Sequence, residues 1–211
     1  MIDFFKELLT VKRFFDASRK FNDLTFYSEN AIYFQFYKGT IDYIINNSNI
    51  KILYITSDKN DPVFEYDNDR INVFYIKRFI PLVFPLIGTK ALVLTMADLN
   101  RYHIKKSTKN VNHIYMFHSA VSSHVQYNQG AFNHYDTIFC VGPHHVNEIR
   151  KTEEIYKLNK KTLVKVGYSW LEELDILYKK KIKKTKIENK ILIAPSWGKG
   201  NILDSCINQI L

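Results

Sequence analysis

The sequence predicts an α/β protein with a mostly parallel, Rossmann-like sheet and helices on both faces. Short apolar runs rich in β-branched and aromatic residues recur along the chain, and segments with helical spacing lie between several of them. The apolar runs do not alternate with polar residues, which is typical of strands buried on both faces of a parallel sheet. A chain of 211 residues that is 46% hydrophobic is large enough for one substantial core.

The predicted elements follow in order along the chain. Residues 2–20 carry apolar side chains at helical spacing and predict an amphipathic helix, and a second helix is predicted over 31–46. The predicted strands are 51–56, 72–76, 91–95, 112–117, 137–141, 162–166 and 190–194. Helix-like segments cover 143–158 and 169–178.

The pattern predicts four segments. Residues 1–48 form an N-terminal helical segment, 49–178 an α/β domain, and 179–189 a lysine-rich linker. Runs of like charge are usually solvated, and the alternative for this one is a contact with lipid headgroups or a polyanion. Residues 190–211 predict the opening strand, loop and helix of a second α/β domain. One strand and one helix cannot close a sheet, so we expect this second domain to be incomplete.

Composition limits the functional classes. The 30 basic and 21 acidic residues give a formal charge of +9, which favours anionic partners such as nucleotides, phosphate polymers, nucleic acid or a membrane surface, without choosing among them. Cys140 and Cys206 are the two cysteines, and their separation argues against a disulfide framework or a cysteine-based zinc site. Charges within residues 1–9 do not fit the apolar core of a signal peptide.

The most apolar stretch, residues 79–96, is nearly long enough to span a bilayer. Pro81, Pro85, Gly88 and Lys90 interrupt it, so the sequence predicts a short apolar helix, a turn and a buried strand. The alternative is that residues 80–87 lie against lipid as a monotopic element.

His118 is the first candidate for chemistry. All seven histidines fall between His103 and His145, and His118 lies where an apolar run gives way to small polar residues. Ligands of open α/β sheets bind outside the carboxyl ends of the strands, and histidine exchanges protons near neutral pH. The neighbouring hydroxyls that we expect to orient the ring or a substrate are those of Ser119, Ser122 and Ser123.

A second strand end is predicted to face the same crevice. Gly142, His144 and His145 follow the predicted strand 137–141, and Pro143 begins the next helix. The free N–H groups of a helix N-terminus suit a phosphate, so we take these residues as candidates for binding acceptor or phosphate. The alternative is an ordinary turn.

Several common sites are disfavoured. The histidine spacings match no zinc pattern, and neither a nucleophile elbow, a phosphate-binding P-loop nor a dinucleotide-binding glycine fingerprint is present. The aromatic residues lie mainly in strand-like runs, where core packing explains them, so nucleic-acid binding is also disfavoured.

Five stretches carry a family resemblance. They are Thr95-Met-Ala-Asp-Leu99, Met116-Phe-His-Ser119, residues 130–145 followed by Glu148, Val166-Gly-Tyr168 with Leu171 and Leu174, and Ala194-Pro-Ser-Trp197. In this order they resemble the CDP-glycerol glycerophosphotransferase family, which includes teichoic-acid primases and polymerases and related capsule enzymes.

The resemblance implies a GT-B-like architecture, in which a first α/β domain faces the acceptor and a second holds the donor. His118 matches the family's histidine after a strand, which implies a general base acting on an acceptor hydroxyl. On the donor side it implies Ser196, Trp197 and Gly198. The implied partners are CDP-glycerol or a related activated donor and an anionic polymer or lipid-linked acceptor at the inner face of the cytoplasmic membrane, with no cofactor, metal or nucleic acid.

Two other functions stay open at this point. One is a nucleotide-sugar glycosyltransferase of the same architecture, and the other is a non-catalytic, truncated remnant that binds anionic polymer or membrane. Because the predicted donor domain is incomplete, we expect the 211-residue polypeptide to fold at least in part and to transfer nothing.

Overall fold

A computed structural model describes residues 2–182, 193–194 and 206. Its sheet has the strands β1 (Leu24–Ser28), β2 (Ile52–Thr56), β3 (Ile71–Tyr75), β4 (Ala91–Leu94), β5 (Asn112–Met116), β6 (Thr137–Cys140) and β7 (Thr162–Lys165). The helices are α1 (Ile2–Lys20), α2 (Phe34–Asn47), α3 (Ile80–Val83), α4 (Ser123–Gln126), α5 (Pro143–Ile155) and α6 (Ser169–Ile182). Short 3-10 turns cover Ala31–Tyr33, Pro62–Glu65 and Phe84–Leu86.

The seven strands form one sheet in the order β3-β2-β1-β4-β5-β6-β7, and every pairing is parallel. This confirms the predicted fold class. The chain moves outward from β1 to β2 and β3, then returns to the other side of β1 with β4. In open α/β sheets ligands bind at such a switch point, outside the carboxyl ends of the strands. The candidate site is therefore expected where β1 and β4 end. We call the side of the sheet at which all seven parallel strands end the carboxyl edge.

The first 48 residues are not a separate helical segment. They contain β1, which pairs with β2 through Leu24 and Ile52 and with β4 through Leu24 and Ala91. All five residues of β1 are buried. The run is as long as β2 and β3 but lies between two helical patterns and carries polar Thr25 and Ser28, so it was not recognised as a strand, and its pairing partners on both sides decide its structure.

Each central strand contributes to two cores, one on each face of the sheet. In β2, Leu53 and Ile55 pack on one face with Phe14 of α1, whereas Ile52 and Tyr54 pack on the other. This division follows from the two-residue period of a strand. It explains why the predicted strands read as continuous apolar runs.

A buried carboxylate attaches α1 to the sheet. Glu7 is 5% exposed, and its Oε1 accepts hydrogen bonds from the backbone N–H groups of Lys77, Arg78 and Phe79 at 2.7, 2.6 and 3.3 Å. These residues follow β3 and lead into α3. The contact satisfies N–H groups that would otherwise lack partners, so α1 is part of the sheet's packing.

The apolar stretch 79–96 forms a short helix, a turn and a strand, as predicted: α3, the 3-10 turn Phe84–Leu86 and β4. Ile80, Val83 and Phe84 are buried in the core, while Leu82 and Leu86 are exposed. Most of the side chains that a monotopic element would place in lipid are therefore used inside the protein. Among the described residues, no helix is both long and apolar enough to cross a membrane.

The whole sheet lies in one unit, residues 1–174, and residues 175–211 group separately. The predicted linker 179–189 begins inside α6, which continues to Ile182, and the remainder of the linker lies outside the described residues. Of the predicted strand 190–194 the structure describes Ile193 and Ala194, neither of which has regular structure.

Candidate functional site

His118 lies at the carboxyl edge, two residues after the last residue of β5. Its ring is half-buried, and Nδ1 is buried without a hydrogen-bond partner among the described residues. Burial lowers the pKa of His118 from its usual 6.5, and hydrogen bonding by the backbone of Thr95 acts in the opposite direction. The ring is therefore neutral at neutral pH, which is the form that accepts a proton.

Aromatic side chains from two parts of the chain lie around His118. The ring centroids of Tyr33 and Phe36 lie 5.3 and 5.9 Å from that of His118. Tyr168 donates a hydrogen bond from its hydroxyl to the His118 carbonyl at 2.9 Å and stacks on Phe36 at 6.3 Å. Trp170 meets Phe36 edge-on at 6.3 Å. These aromatic rings hold the His118 segment between the chain after β1 and the chain after β7.

A close approach between α2 and the start of α6 positions these rings. A Cβ atom at Gly39 would lie only 2.5 Å from the Cβ of Ser169, so no other residue fits there without a shift. Ser169 also donates a hydrogen bond from Oγ to the Phe36 carbonyl at 3.3 Å. Gly39 therefore allows Tyr168 and Phe36 to stack beside His118.

Glu29, directly after β1, is a candidate that the sequence analysis missed. Glu29 is exposed, yet partial loss of water around its carboxyl group raises the pKa of that group. The charge of His103 has the opposite effect and lowers this pKa. Recognition of β1 as a strand would have revealed Glu29 and Tyr33, since both follow its carboxyl end.

Ser119 and Ser122 are half-buried and near the surface. Ser119 donates from Oγ to Oε1 of Gln126 at 3.0 Å, and Ser122 Oγ is 3.0 Å from Nδ1 of His124. No hydrogen bond from either hydroxyl to the His118 ring occurs in the described part of the chain. The expectation that these serines orient the ring is wrong in this structure, although both hydroxyls lie where a ligand can reach them.

Ser123 has a structural role instead of the predicted ligand-binding role. It is 4% exposed, and both its backbone N–H and its Oγ donate to Oε2 of Glu148, at 2.6 and 2.7 Å. These two hydrogen bonds use the donors that a ligand would need. They attach the start of α4 to α5.

His145 is likewise structural, which corrects its assignment to acceptor or phosphate binding. Its ring is 0% exposed and stacks on Phe117 at 3.8 Å. The Val141 N–H donates to Nδ1 at 3.3 Å, so Nε2 carries the proton and donates to the Val121 carbonyl at 2.8 Å. Both nitrogens have protein partners, and burial lowers the pKa of His145.

Gly142 and His144 remain accessible at the N-terminus of α5. His144 is exposed and donates from Nε2 to the Ala120 carbonyl at 3.1 Å. A Cβ at Gly142 would lie 3.0 Å from Nδ1 of His144, so the glycine leaves room for this ring. His144, His145 and Glu148 thus bind the segment that runs from His118 to Ser123, which we call the His118 loop. The structure brings the two predicted strand ends together through these hydrogen bonds.

The donor-side residues Ser196, Trp197 and Gly198 lie outside the described residues. Within the described part, no group of three histidine, cysteine, aspartate or glutamate side chains is placed to hold a metal ion. His113, for example, is buried, and its Nε2 accepts from the Ser107 N–H at 3.2 Å.

No family model, curated protein or solved structure matches this chain. The fold and the contacts around His118 are therefore the basis for the function proposed below.

Proposed function

We propose that this chain is the acceptor-side domain of a transferase that moves glycerol phosphate, or a similar polyol phosphate, from a CDP-activated donor to a cell-surface polymer or its lipid-linked precursor. The observation that carries the proposal is the half-buried ring of His118 at the carboxyl edge, whose pKa is lowered by burial and which the described residues do not hold at both nitrogens. The order of sequence motifs that resembles the CDP-glycerol glycerophosphotransferase family supports the choice of donor.

In the proposed reaction the His118 ring accepts the proton of an acceptor hydroxyl. The acceptor oxygen forms a bond to the β-phosphorus of CDP-glycerol, the bond from that phosphorus to the bridging oxygen breaks, and CMP leaves with the electron pair. Phosphoryl transfer of this kind depends on positioning and on charge stabilisation more than on covalent catalysis. The aromatic rings and the His118 loop supply the positioning of the base.

Four of the predicted phosphate-binding residues fit the proposal. Ser119, Ser122, Gly142 and His144 lie on the His118 loop or at the N-terminus of α5, and none is buried. Helix N–H groups and neutral hydroxyls stabilise phosphate oxygens. Tyr33 offers an aromatic face beside the base, which suits an acceptor whose hydroxyl is carried by a ring or by an apolar group.

The proposed place of action is the inner face of the cytoplasmic membrane. Lys179, Lys180 and Lys181 are exposed at the end of α6, and the chain carries a formal charge of +9. Basic segments of this kind are attracted to anionic lipid surfaces.

The test is transfer from radiolabelled CDP-glycerol to a membrane acceptor by the complete protein, with His118→Gln as the variant. We expect kcat to fall at least about 100-fold, because a general base contributes at least that much. His134→Gln is the matched control, since His134 precedes β6 at the opposite edge of the sheet. The acidic limb of the wild-type pH profile should lie below pH 6.5, because burial lowers the pKa of His118.

Full activity of His118→Gln would show that His118 is not the base. Sugar transfer from a nucleotide-sugar, with no transfer from CDP-glycerol or CDP-ribitol, would replace the proposed donor class. Polymer or membrane binding without transfer from any donor would favour the non-catalytic remnant.

A further inference from the structure

A cavity of about 150 Å³ lies on α5, away from His118. One wall is formed by Ile149, Thr152 and Glu153, which lie on one face of α5, and by Tyr156, which directly follows the helix. The opposite wall comes from residues 127–133 of the segment that leads to β6. The cavity also reaches Lys161, which directly precedes β7. Ser123, the last residue of the His118 loop, and His124 also line the cavity, whereas His118 and its aromatic neighbours do not.

Lys161 is the unusual residue of this cavity. Its residue is only 9% exposed, and in the described part of the chain its ammonium group has no ion pair or hydrogen bond, although the group still reaches solvent. A lysine side chain buried to this extent normally pairs with a group of the protein. Burial accordingly lowers the pKa of Lys161, although the charge of Glu153 opposes this effect.

The nearest carboxylate is already neutralised. Glu153 accepts a hydrogen bond from Nη1 of Arg150 at 2.5 Å and from the backbone N–H of Lys161 at 2.8 Å. Arg150 also donates to the Lys161 carbonyl at 3.0 Å. The charge of Arg150 therefore offsets part of the attraction between Glu153 and the ammonium group of Lys161.

The rest of the lining is largely apolar. Ala131 and Ile149 are buried, and Phe132 and Leu158 are half-buried at the cavity. A cavity of this volume holds a molecule of roughly the size of benzene. One cation in an apolar space of this size selects a molecule with one negative charge and a small apolar body.

We propose that this cavity is a binding site for a small monocarboxylate, with the carboxylate paired to Lys161 and the apolar part against Ile149, Phe132 and Leu158. Lys161 and His118 lie at opposite edges of the sheet, because Lys161 precedes the amino end of β7 whereas His118 follows the carboxyl end of β5.

The test uses benzoate and butyrate as probes, with melting temperature and calorimetric titration as readouts. We expect saturable binding by the wild type and a rise in its melting temperature. Lys161→Met should weaken binding at least tenfold, yet without ligand it should melt no lower than the wild type, because it removes a charge that burial disfavours and that has no ion pair. Lys160→Met is the matched control, because Lys160 is the exposed neighbour of Lys161 and is not part of the cavity lining. Its substitution should leave binding of both probes unchanged.

A second variant tests the cavity without changing the charge. Ala131→Leu places a larger side chain in the lining and should block both probes while Lys161 remains. Equal binding by the wild type and Lys161→Met, or no saturable binding of either probe by the wild type, would overturn the proposal. Tighter binding of inorganic phosphate than of benzoate would also overturn it, since the cavity would then select a more highly charged ion.

Discussion

His118 and His145 show how the surroundings of a histidine decide its role. Both rings are partly or fully buried, and burial lowers the pKa of each. His145 has a hydrogen-bond partner at each nitrogen, so it holds the protein together. His118 lies at the carboxyl edge, and its Nδ1 is buried without a partner, so its ring is not held by the protein at both nitrogens as that of His145 is. A pattern of residue types cannot show this difference. The role of His145 depends on the Val141 N–H and on the Val121 carbonyl, which belongs to another loop.

The neutral state of His145 predicts a pH-dependent stability. Burial lowers the folded-state pKa of His145, so the unfolded chain binds a proton that the folded protein does not. The stability that depends on the neutral ring is complete above about pH 6.5, the unfolded pKa, and is lost as the pH falls through the folded pKa. We expect the free energy of unfolding of the wild type to decrease as the pH is lowered from about 7.5 to 5.

His145→Gln tests this prediction, because its amide can still donate to the Val121 carbonyl but does not titrate. The slope of unfolding free energy against pH should fall by up to about 1.4 kcal/mol per pH unit. Urea unfolding at several pH values measures it. Equal slopes for the variant and the wild type would mean that His145 takes up no extra proton on unfolding.

At the scale of elements, α5 holds the His118 loop in place. The helix was predicted from its sequence over 143–158, and the structure ends it at Ile155. Its contacts to the loop could not be predicted, because Glu148 and Ser123 lie on different elements and neither has a distinctive local pattern. The ends of strands can be predicted from the sequence. The hydrogen bonds between the segments that follow those strands can be identified only in the folded structure.

Glu148→Ala should destabilise the protein and loosen the His118 loop. The substitution leaves the buried N–H and hydroxyl of Ser123 without an acceptor, which costs about 1 to 3 kcal/mol. The free energy of unfolding and the amide exchange rate of Ser123 measure the two effects. Glu154→Ala is the matched control on the same helix, since Glu154 is exposed and pairs only with Lys151 at 2.8 Å. Equal effects of the two substitutions would contradict the proposed attachment.

At the scale of the whole molecule, β1 is the part of the sheet that was not predicted from the sequence. The other six strands of the sheet were predicted from runs rich in β-branched and aromatic residues. β1, which lies between β2 and β4, was not, and the residues that follow it at the candidate site, Glu29 and Tyr33, were missed with it. His118 was found from its own strand end, whereas its aromatic neighbours depend on pairings between distant parts of the chain.

Removal of residues 1–48 should prevent formation of the sheet. Without β1, the pair β2 and β3 loses its connection to β4 through β7, and the cores lose Phe14, Phe26 and Tyr37. We expect the shortened chain to lack the cooperative urea transition of the full chain, as measured by circular dichroism. A cooperative transition with the native content of strand would show instead that residues 1–48 are dispensable, as a separate segment would be.

The position of β1 also has a consequence for synthesis on the ribosome. β1 is the first strand to emerge, and β2 soon follows to cover one of its edges, but the other edge has to wait for Ala91–Leu94. During that interval a nascent chain exposes an apolar strand with open hydrogen-bonding groups, which is a template for aggregation. Slowed translation between β3 and β4 should therefore lower the soluble yield more than the same delay placed after β5.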